Sequence, residues 1–554
     1  MQKIVEQCEL NGISDIVISP GSRNAPFTLS FTNNPFFKCY SIVDERSAAH
    51  FALGMAQQKS SPVALVSTSG TAVLNYAPAI AEAHMQSIPL LVITADRQSN
   101  GLSIGDGQAI NQQGVYQNYC HNNYNLIEDE KDGQQINLAL IQEGFYELIK
   151  NKILVHFNVQ LSEPLYDTIE AVRPKEVTIQ QGSESFLRIS KKSKSLISSW
   201  NSHSKKLILV SQHNYENLQA GIEKLLEIDK NTVVLTETTG DIVADGFVSC
   251  IDRTLELIDK NNPVDFVPDL VVAIGHSVIS KKIKHLFRAH KPKEFWNVSE
   301  GKNENLFDLD SYEKMKDEKE FLALISSQGV TPVSENDFAI NWRRINQLAE
   351  DAHTEFLRTA PFSDLKTFEF LTENLPSCNL QMGNSSVVRY IQLFNQRKDI
   401  RYNGNRGVSG IEGCTSTALG AHIITNNSIL ISGDISFFYD SNAFWNGHVL
   451  PNFKVIVLSN GEGNIFKIIP QPKKDEVSLP YFTTPHKTSI RKFCDLYNLK
   501  HYKATNLKEL SDNFAPFIEE NNQPSVLEID TSKEENDTIL TNYFTYINHY
   551  KHGK

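Results

Sequence analysis

Short apolar runs rich in β-branched residues recur along this chain with helix-period segments between them. That alternation restricts the fold more than any other feature. DIVIS (15–19), CYSIV (39–43), VALVSTS (63–69) and LLVITA (90–95) form a first set, with helical patterns ERSAAHFALGMAQQ from Glu45 and TAVLNYAPAIAEAHMQ from Thr71 among them. Strands that read as nearly continuous apolar runs, spaced by helices, predict parallel sheets covered on both faces. A second set follows at KLILVSQ (206–212), TVVLTET (232–238), DLVVAIGH (269–276) and FWNVS (295–299). A third lies at LQMGNS (380–385), SILISGD (428–434), KVIVLSN (454–460) and SVLEIDT (525–531), beyond a charged helical connector from about 335 to 370. The expected fold is three doubly wound α/β domains with mainly parallel sheets, over 1–175, 190–335 and 360–554. The first break falls near Arg173-Pro174, ahead of the polar stretch SKKSKS (190–195).

At 554 residues the chain is too long for a single core. Its formal net charge of −12 argues against binding nucleic acid or anionic lipid through phosphate neutralisation. No uncharged apolar run reaches the roughly 20 residues of a membrane helix, and the start has no signal-peptide core, so a cytoplasmic protein acting on small molecules is expected. The seven cysteines are scattered without a CxxC pair, which reads as buried thiols. Cys414, near a glycine-rich stretch, has no histidine close in sequence to activate it as a nucleophile.

Two motifs carry chemistry. Gly433-Asp434 ends one apolar strand and Asn460-Gly461 ends the next, with YDSNAFWNGH between as a helical pattern. A right-handed crossover sets such strands side by side with both carboxyl ends at one edge, where Asp434 and Asn460 meet. A carboxylate and an amide oxygen are hard donors suited to Mg²⁺ and phosphate. Asp and Asn also favour strand-end turns, so the pair alone leaves a structural reading open. The second motif is VDERSAAHFALGMA, which places Glu45 after a strand and at the start of a helix; a first-turn glutamate favoured by the helix dipole is the plain alternative. No GxxxxGK[ST] loop supports a nucleoside-triphosphate enzyme, and no GxGxxG follows a strand in the middle domain.

GD followed by N at this spacing, together with the Glu45 segment, resembles the thiamine-diphosphate-dependent enzyme superfamily. Seven further segments are similar, in order, to the menaquinone-pathway synthases that join 2-oxoglutarate to isochorismate. They are ISPGSRNAP (18–26), TSGTAVLNYAPAIAEA (68–83), TADRQ (94–98), GQAINQ (107–112), GNSSVVRY (383–390), NRGVSGIEG (405–413) and GNIFKIIP (463–470). The resemblance implies thiamine diphosphate held through Mg²⁺ (or Mn²⁺) by Asp434, Asn460 and the main-chain carbonyl of Glu462, a position where a glycine-type residue is the commoner pattern. It implies cofactor contacts from Asn384, Ser385, Gly410, Gly433 and Ser436, with Ile411 propping the cofactor. Glu45 would be the catalytic glutamate, buried beside the pyrimidine ring, where low dielectric strengthens a single proton contact. Ser22, Arg23, Arg97 and Gln108 are implied on the acceptor side; Ser385, Arg389 and Arg406 on the donor side. Lys281 and Lys282 stand where one arginine would be expected. Guanidinium forks suit two dicarboxylate substrates. A homodimer or homotetramer with active sites between subunits is also implied. The rivals are another thiamine-dependent carboligase, oxidase or decarboxylase, or a binding protein that keeps the fold without the chemistry.

Overall fold

The computed structural model describes residues 1–59, 61–97, 105, 107–120, 122–128, 133–168, 191–213, 217–299, 305–315, 317–326, 329–331, 333–468 and 475–550. The break expected at Arg173-Pro174 lies outside these residues, as do Gln98, Ile469 and Pro470 of the motif segments.

Strands β1 (Asp15–Ile18), β2 (Lys38–Ser41), β3 (Val63–Ser67), β4 (Leu90–Asp96), β5 (Asn122–Leu126) and β6 (Val155–Gln160) form one parallel sheet in the order β2-β1-β3-β4-β6-β5. β7 (Lys206–Val210), β8 (Thr232–Thr236), β9 (Leu270–Ile274), β10 (Glu294–Val298) and β11 (Tyr312–Met315) form a second, ordered β11-β10-β9-β7-β8. β12 (Cys378–Met382), β13 (Ile400–Gly404), β14 (Ser428–Gly433), β15 (Lys454–Ser459), β16 (Lys500–Ala504) and β17 (Ser525–Asp530) make the third, ordered β13-β12-β14-β15-β17-β16. The first and third sheets therefore share one topology. All twelve strands read from apolar runs are present, and every pairing between named strands is parallel. The connector is helical, as Asp337–Thr359 and Asp364–Asn374. YDSNAFWNGH departs from the expected helix: after a short helix Asp434–Tyr439, one 3₁₀ turn at Ser441–Phe444 gives way to irregular backbone. Asn442 and Asn446 instead spend their amides on Asp44 and on the Ala443 carbonyl.

The first and third units are joined by helix Glu45–Lys59 lying against helix Cys414–Thr425. Their backbones nearly touch. A Cβ on Gly54 would sit 1.9 Å from the Thr417 carbonyl oxygen, and one on Gly420 would sit 1.9 Å from that of Phe51. Gly54→Ala gains about 1 kcal/mol of helix propensity, yet forces the helices apart at a cost of roughly 1–3 kcal/mol or more. A lowered thermal midpoint at fixed scan rate is expected; an unchanged one would show that the helices separate freely.

Burial also sets a pH response. The Glu237 and Asp440 carboxyls, fully buried, are pushed up to about 7 and Asp241 to about 6, all by loss of hydration. Burial depresses His156 and His353 to about 3 and His213 and His276 to about 4. Unfolded carboxyls titrate near about 4, so the folded state holds extra protons between there and about 7, and their contribution is lost as pH rises through that window. The histidines act oppositely around and below their unfolded value of about 6.5, and the N-terminal amine, held below its usual value by burial, also opposes the carboxyls up to about 8. Glu237→Gln removes one carboxyl from this balance, so the wild-type midpoint minus that of Glu237→Gln should fall as pH rises from about 5 to about 8; a difference that does not change with pH would overturn the assignment of Glu237 as protonated in the fold.

Candidate active site

β14 and β15 pair directly, with Gly433 opposite Leu458, so the turns that follow them share one edge of the sheet. There the Gly461 N–H donates to Asp434 Oδ2 at 2.7 Å, and Ile435 N–H to Oδ1 at 2.8 Å. Asp434 is buried and burial pushes its carboxyl up; His486 Nε2 lies 3.5 Å from Oδ2. Asn460 donates its Nδ2 to Asp364 Oδ2 at 3.3 Å, which turns Oδ1 the other way. Among the described residues the Oδ1 atom meets only the Glu462 N–H, at 3.4 Å. The Glu462 side chain pairs with Lys467, leaving the main-chain carbonyl, which accepts from Asn464 N–H at 3.0 Å, with a second lone pair. A buried carboxylate, an outward amide oxygen and a main-chain carbonyl on one turn are a hard oxygen set. Among the described residues no group of three or more His, Cys, Asp or Glu side chains could hold a metal ion, and this set needs none because only one of its donors is acidic.

Asp364 and His486 carry no sequence signal. Asp364 is fully buried, opens helix Asp364–Asn374, takes a 2.6 Å bond from Thr531 Oγ1 beyond β17, and is pushed up to about 6 by burial. His486 and Thr483 latch the turn, His486 N–H donating to the Gly461 carbonyl at 2.9 Å and Gly463 N–H to that of Thr483 at 2.6 Å.

Loops after β12, β13 and β14 knit together beside this edge. Asn384 donates Nδ2 to the carbonyls of Asn405 (2.8 Å) and Gly410 (2.5 Å), and accepts from Arg406 Nη1 at 2.7 Å. Ser436 Oγ donates to the Ile411 carbonyl at 2.6 Å. Ile411 itself is only half-buried, so it is not a core isoleucine. Ser385 adopts φ +74°, a strained conformation for a residue with a side chain, and its carbonyl accepts from Arg389 Nη1 at 2.5 Å. Burial, with Arg389 nearby, holds the Arg406 guanidinium below its usual value, and its Nε is buried without an acceptor among the described residues. An orphaned guanidinium N–H in such a place asks for an anion.

Arg23, Arg97 and Gln108 gather at the carboxyl edge of the first sheet. Arg23 is buried, donating Nη1 to the Leu161 carbonyl at 2.9 Å and pairing with Glu163 at 3.3 Å; its Nε has no acceptor among the described residues. Arg97 donates Nε to the Gly107 carbonyl at 3.0 Å, beside Gln108, whose own carbonyl accepts from Ser69 Oγ at 2.9 Å. Ser22 is exposed next to Arg23.

Glu45 differs from expectation. It begins its helix after β2, but its side chain is half-exposed and Oε2 accepts from Asn75 Nδ2 at 3.0 Å. Among the described residues of one chain nothing covers it enough to bury it. Lys281 and Lys282 separate as well. Both line a cavity of about 920 Å³ that also receives Arg389, Ile465 and Ile468. Lys282 is committed to Glu256 and lies 3.5 Å over the Phe544 ring, whereas Lys281 is exposed. Cys414 is buried and its thiol is pushed up to about 11, which removes it as a nucleophile.

Residues 1–123 match the family described as thiamine pyrophosphate enzyme, N-terminal TPP binding domain. The whole fold is similar to benzoylformate decarboxylase from Polynucleobacter necessarius, with a TM-score of 0.71 over 96% of this chain and 98% of that one at 14% identity. The protein is a thiamine-diphosphate-dependent enzyme. It is 40% identical to the 2-succinyl-5-enolpyruvyl-6-hydroxy-3-cyclohexene-1-carboxylate synthase of Flavobacterium psychrophilum over 98% of both chains. It is 38% identical to that of Flavobacterium johnsoniae over 98% of both. For the Porphyromonas gingivalis protein of the same name the figure is 33%, over 98% of this chain and 96% of that one. The chain belongs to the 2-succinyl-5-enolpyruvyl-6-hydroxy-3-cyclohexene-1-carboxylate synthase family. Among the described residues no helix is long and apolar enough to cross a membrane.

Proposed function

We propose that this chain decarboxylates 2-oxoglutarate and adds the resulting succinyl-semialdehyde unit to isochorismate, giving 2-succinyl-5-enolpyruvyl-6-hydroxy-3-cyclohexene-1-carboxylate and CO₂ in menaquinone biosynthesis. The observation that carries this reading is the full-length likeness to synthases of that name. The orphaned guanidinium donors of Arg23 and Arg406, on two different sheet edges, agree with two anionic substrates.

When bound, thiamine diphosphate supplies the electron sink that decarboxylation of a 2-oxo acid requires. Residues 360–554 hold its diphosphate end, with Asp434, Asn460 and the Glu462 carbonyl on Mg²⁺ or Mn²⁺, and Asn384, Ser385, Gly410, Gly433 and Ser436 lining the cofactor. Residues 1–175 hold the pyrimidine end, and Glu45 carries or accepts a proton at the ring. Residues 190–335 contribute Lys281 to the substrate cavity; Lys282 serves Glu256 instead. Ile411 keeps enough exposure to support a cofactor from below. Arg389 and Arg406 fix the donor's distal carboxylate with Ser385, while Ser22, Arg23, Arg97 and Gln108 fix the acceptor. Holding two anions in register, with water excluded, is the main gain these residues provide.

A homodimer or homotetramer completes the site. Exposed Val43, Leu74, Tyr439 and Trp445 flank the half-exposed Glu45, with Arg46 stacked 4.6 Å over the Tyr439 ring, and a second copy would cover this face. The test follows isochorismate absorbance with purified protein, Mg²⁺, thiamine diphosphate and 2-oxoglutarate, omitting each in turn. Loss of absorbance that needs every component is expected. CO₂ release from 2-oxoglutarate with isochorismate untouched would mean a different acceptor, and the absence of both reactions would sink the proposal.

A further inference from the structure

Arg406 and Ile411 lie on one loop of the third unit, and what sets that loop's position comes from the first unit. Helix Ala77–Met85 brings Glu82, a buried carboxylate, against it. Glu82 Oε1 accepts from Gly407 N–H at 2.6 Å and Oε2 from Val408 N–H at 2.6 Å, with Ser409 N–H also turned to it. Successive N–H groups converging on one point form an anion-binding nest, here filled by a carboxylate of the same chain. No lysine or arginine lies within ion-pair distance of Glu82 among the described residues, and burial pushes its carboxyl up, so these backbone amides, with the Gln86 amide and the field of Arg406, are what favour its charged form. The fit leaves no slack. A Cβ on Gly407 would lie 2.7 Å from Met85 Cβ and 2.9 Å from the Glu82 carbonyl oxygen.

One turn on, Gln86 ties the same helix to the other two units. Its Nε2 donates to Glu82 and to the Gly404 carbonyl (3.2 Å), and its Oε1 accepts from Gln57 (3.1 Å) and from Gln212 of the central unit (2.6 Å). The result is a rigid post on which the 404–409 segment hangs. Arg406, whose neighbours on the loop are pinned in this way, needs only its bond to Asn384 Oδ1 to hold its guanidinium in place.

We propose that Glu82 is the positioning residue for Arg406: its carboxylate closes the 407–409 amides into a nest and thereby aims the arginine at the donor's carboxylate. Glu82 does not touch substrate in this scheme. It acts through the loop, because removing it takes the acceptor from the part-buried Gly407 and Val408 N–H bonds, and these groups recover one only if the loop shifts toward water. A displacement near 1 Å at an anchoring arginine costs on the order of 100-fold. The inference rests on the reading of Arg406 as a donor-side contact.

The test uses the full-length holoenzyme with Glu82→Gln and Glu82→Ala, alone and combined with Arg406→Ala. Amide hydrogen exchange over 404–411 should quicken in Glu82→Ala, with Glu82→Gln, which keeps one acceptor oxygen and the packing, in between. KM for 2-oxoglutarate should rise on the order of 10- to 100-fold in Glu82→Ala, as outer-shell removals do, with kcat falling less. In the Arg406→Ala background the same change should have little further effect. Unchanged exchange, or a KM effect that simply adds to that of Arg406→Ala, overturns the proposal. If the wild type fails to consume 2-oxoglutarate, the functional reading falls, while the exchange measurement still decides whether Glu82 holds the loop.

Discussion

Glu45→Gln is expected to lower kcat by about 10²–10⁴-fold, the contribution of a positioned proton-transfer group, while leaving the fold intact. The structural half of this expectation follows from the surroundings of Glu45. Its one side-chain hydrogen-bond partner among the described residues is Asn75, 3.0 Å away, and a glutamine oxygen accepts that bond equally well. The side chain is half-exposed, so no buried charge is removed and no cavity is made. The helix it begins is held elsewhere, by the close approach of Gly54 to Thr417. The functional half follows from chemistry: an amide can occupy the site but cannot exchange a proton with the pyrimidine ring. Steady-state kinetics, a thermal melt and a titration with thiamine diphosphate separate these effects. An inactive variant that melts like the wild type and still binds cofactor fits the role given to Glu45. Wild-type turnover would remove it from the mechanism.

The half-exposure of Glu45 also marks a limit of reading one chain. A first-turn glutamate after a parallel strand is visible in the sequence; what covers it is not, because under the proposed assembly the cover belongs to another copy. The sheets divide along a similar line. Interior strands such as VALVS and KVIVLS are apolar on both faces because helices cover both, so they stand out as runs. Four of the five strands that such runs do not reveal, β5, β11, β13 and β16, lie at sheet ends, where one flank is open and sequences such as NNYNL and KHYKA suffice. The fifth, β6, is interior but carries His156 and Asn158. These are satisfied inside the protein, His156 by Thr94 at 2.8 Å and Asn158 by Thr94, Gln112, Asp96 and Asn125. A buried polar network erases the apolar signature of the strand that bears it.

The site shows the same division. Asp434 and Asn460 announce themselves by spacing, since each ends a strand and the strands are neighbours. Asp364 and Glu82 do not, because each acts on a residue far away in sequence: Asp364 orients the Asn460 amide across 96 positions, and Glu82 holds Gly407 across 325. Only folding brings such pairs together, and no local pattern encodes them.

Asp434→Asn is expected to abolish cofactor-linked stabilisation while changing the cofactor-free protein little. In the free protein two effects oppose. The substitution removes a carboxyl that burial already disfavours as an anion, which stabilises. It also places an NH₂ group where one carboxylate oxygen accepted from Gly461 or Ile435 N–H, leaving two donors face to face, which destabilises. With cofactor the balance disappears, because the substitution removes the one anionic donor of the proposed metal set. A ligand at 100 times its Kd stabilises the fold by about 2.7 kcal/mol, so a Kd raised about 100-fold cancels nearly all of that gain. Thermal midpoints of wild type and Asp434→Asn, with and without thiamine diphosphate and Mg²⁺, provide the measurement. A wild-type increase that chelation removes and Mn²⁺ restores, absent in the variant, supports the metal role. If Asp434→Asn keeps the full increase, the diphosphate is held by other groups and Asp434 is a strand-end turn residue.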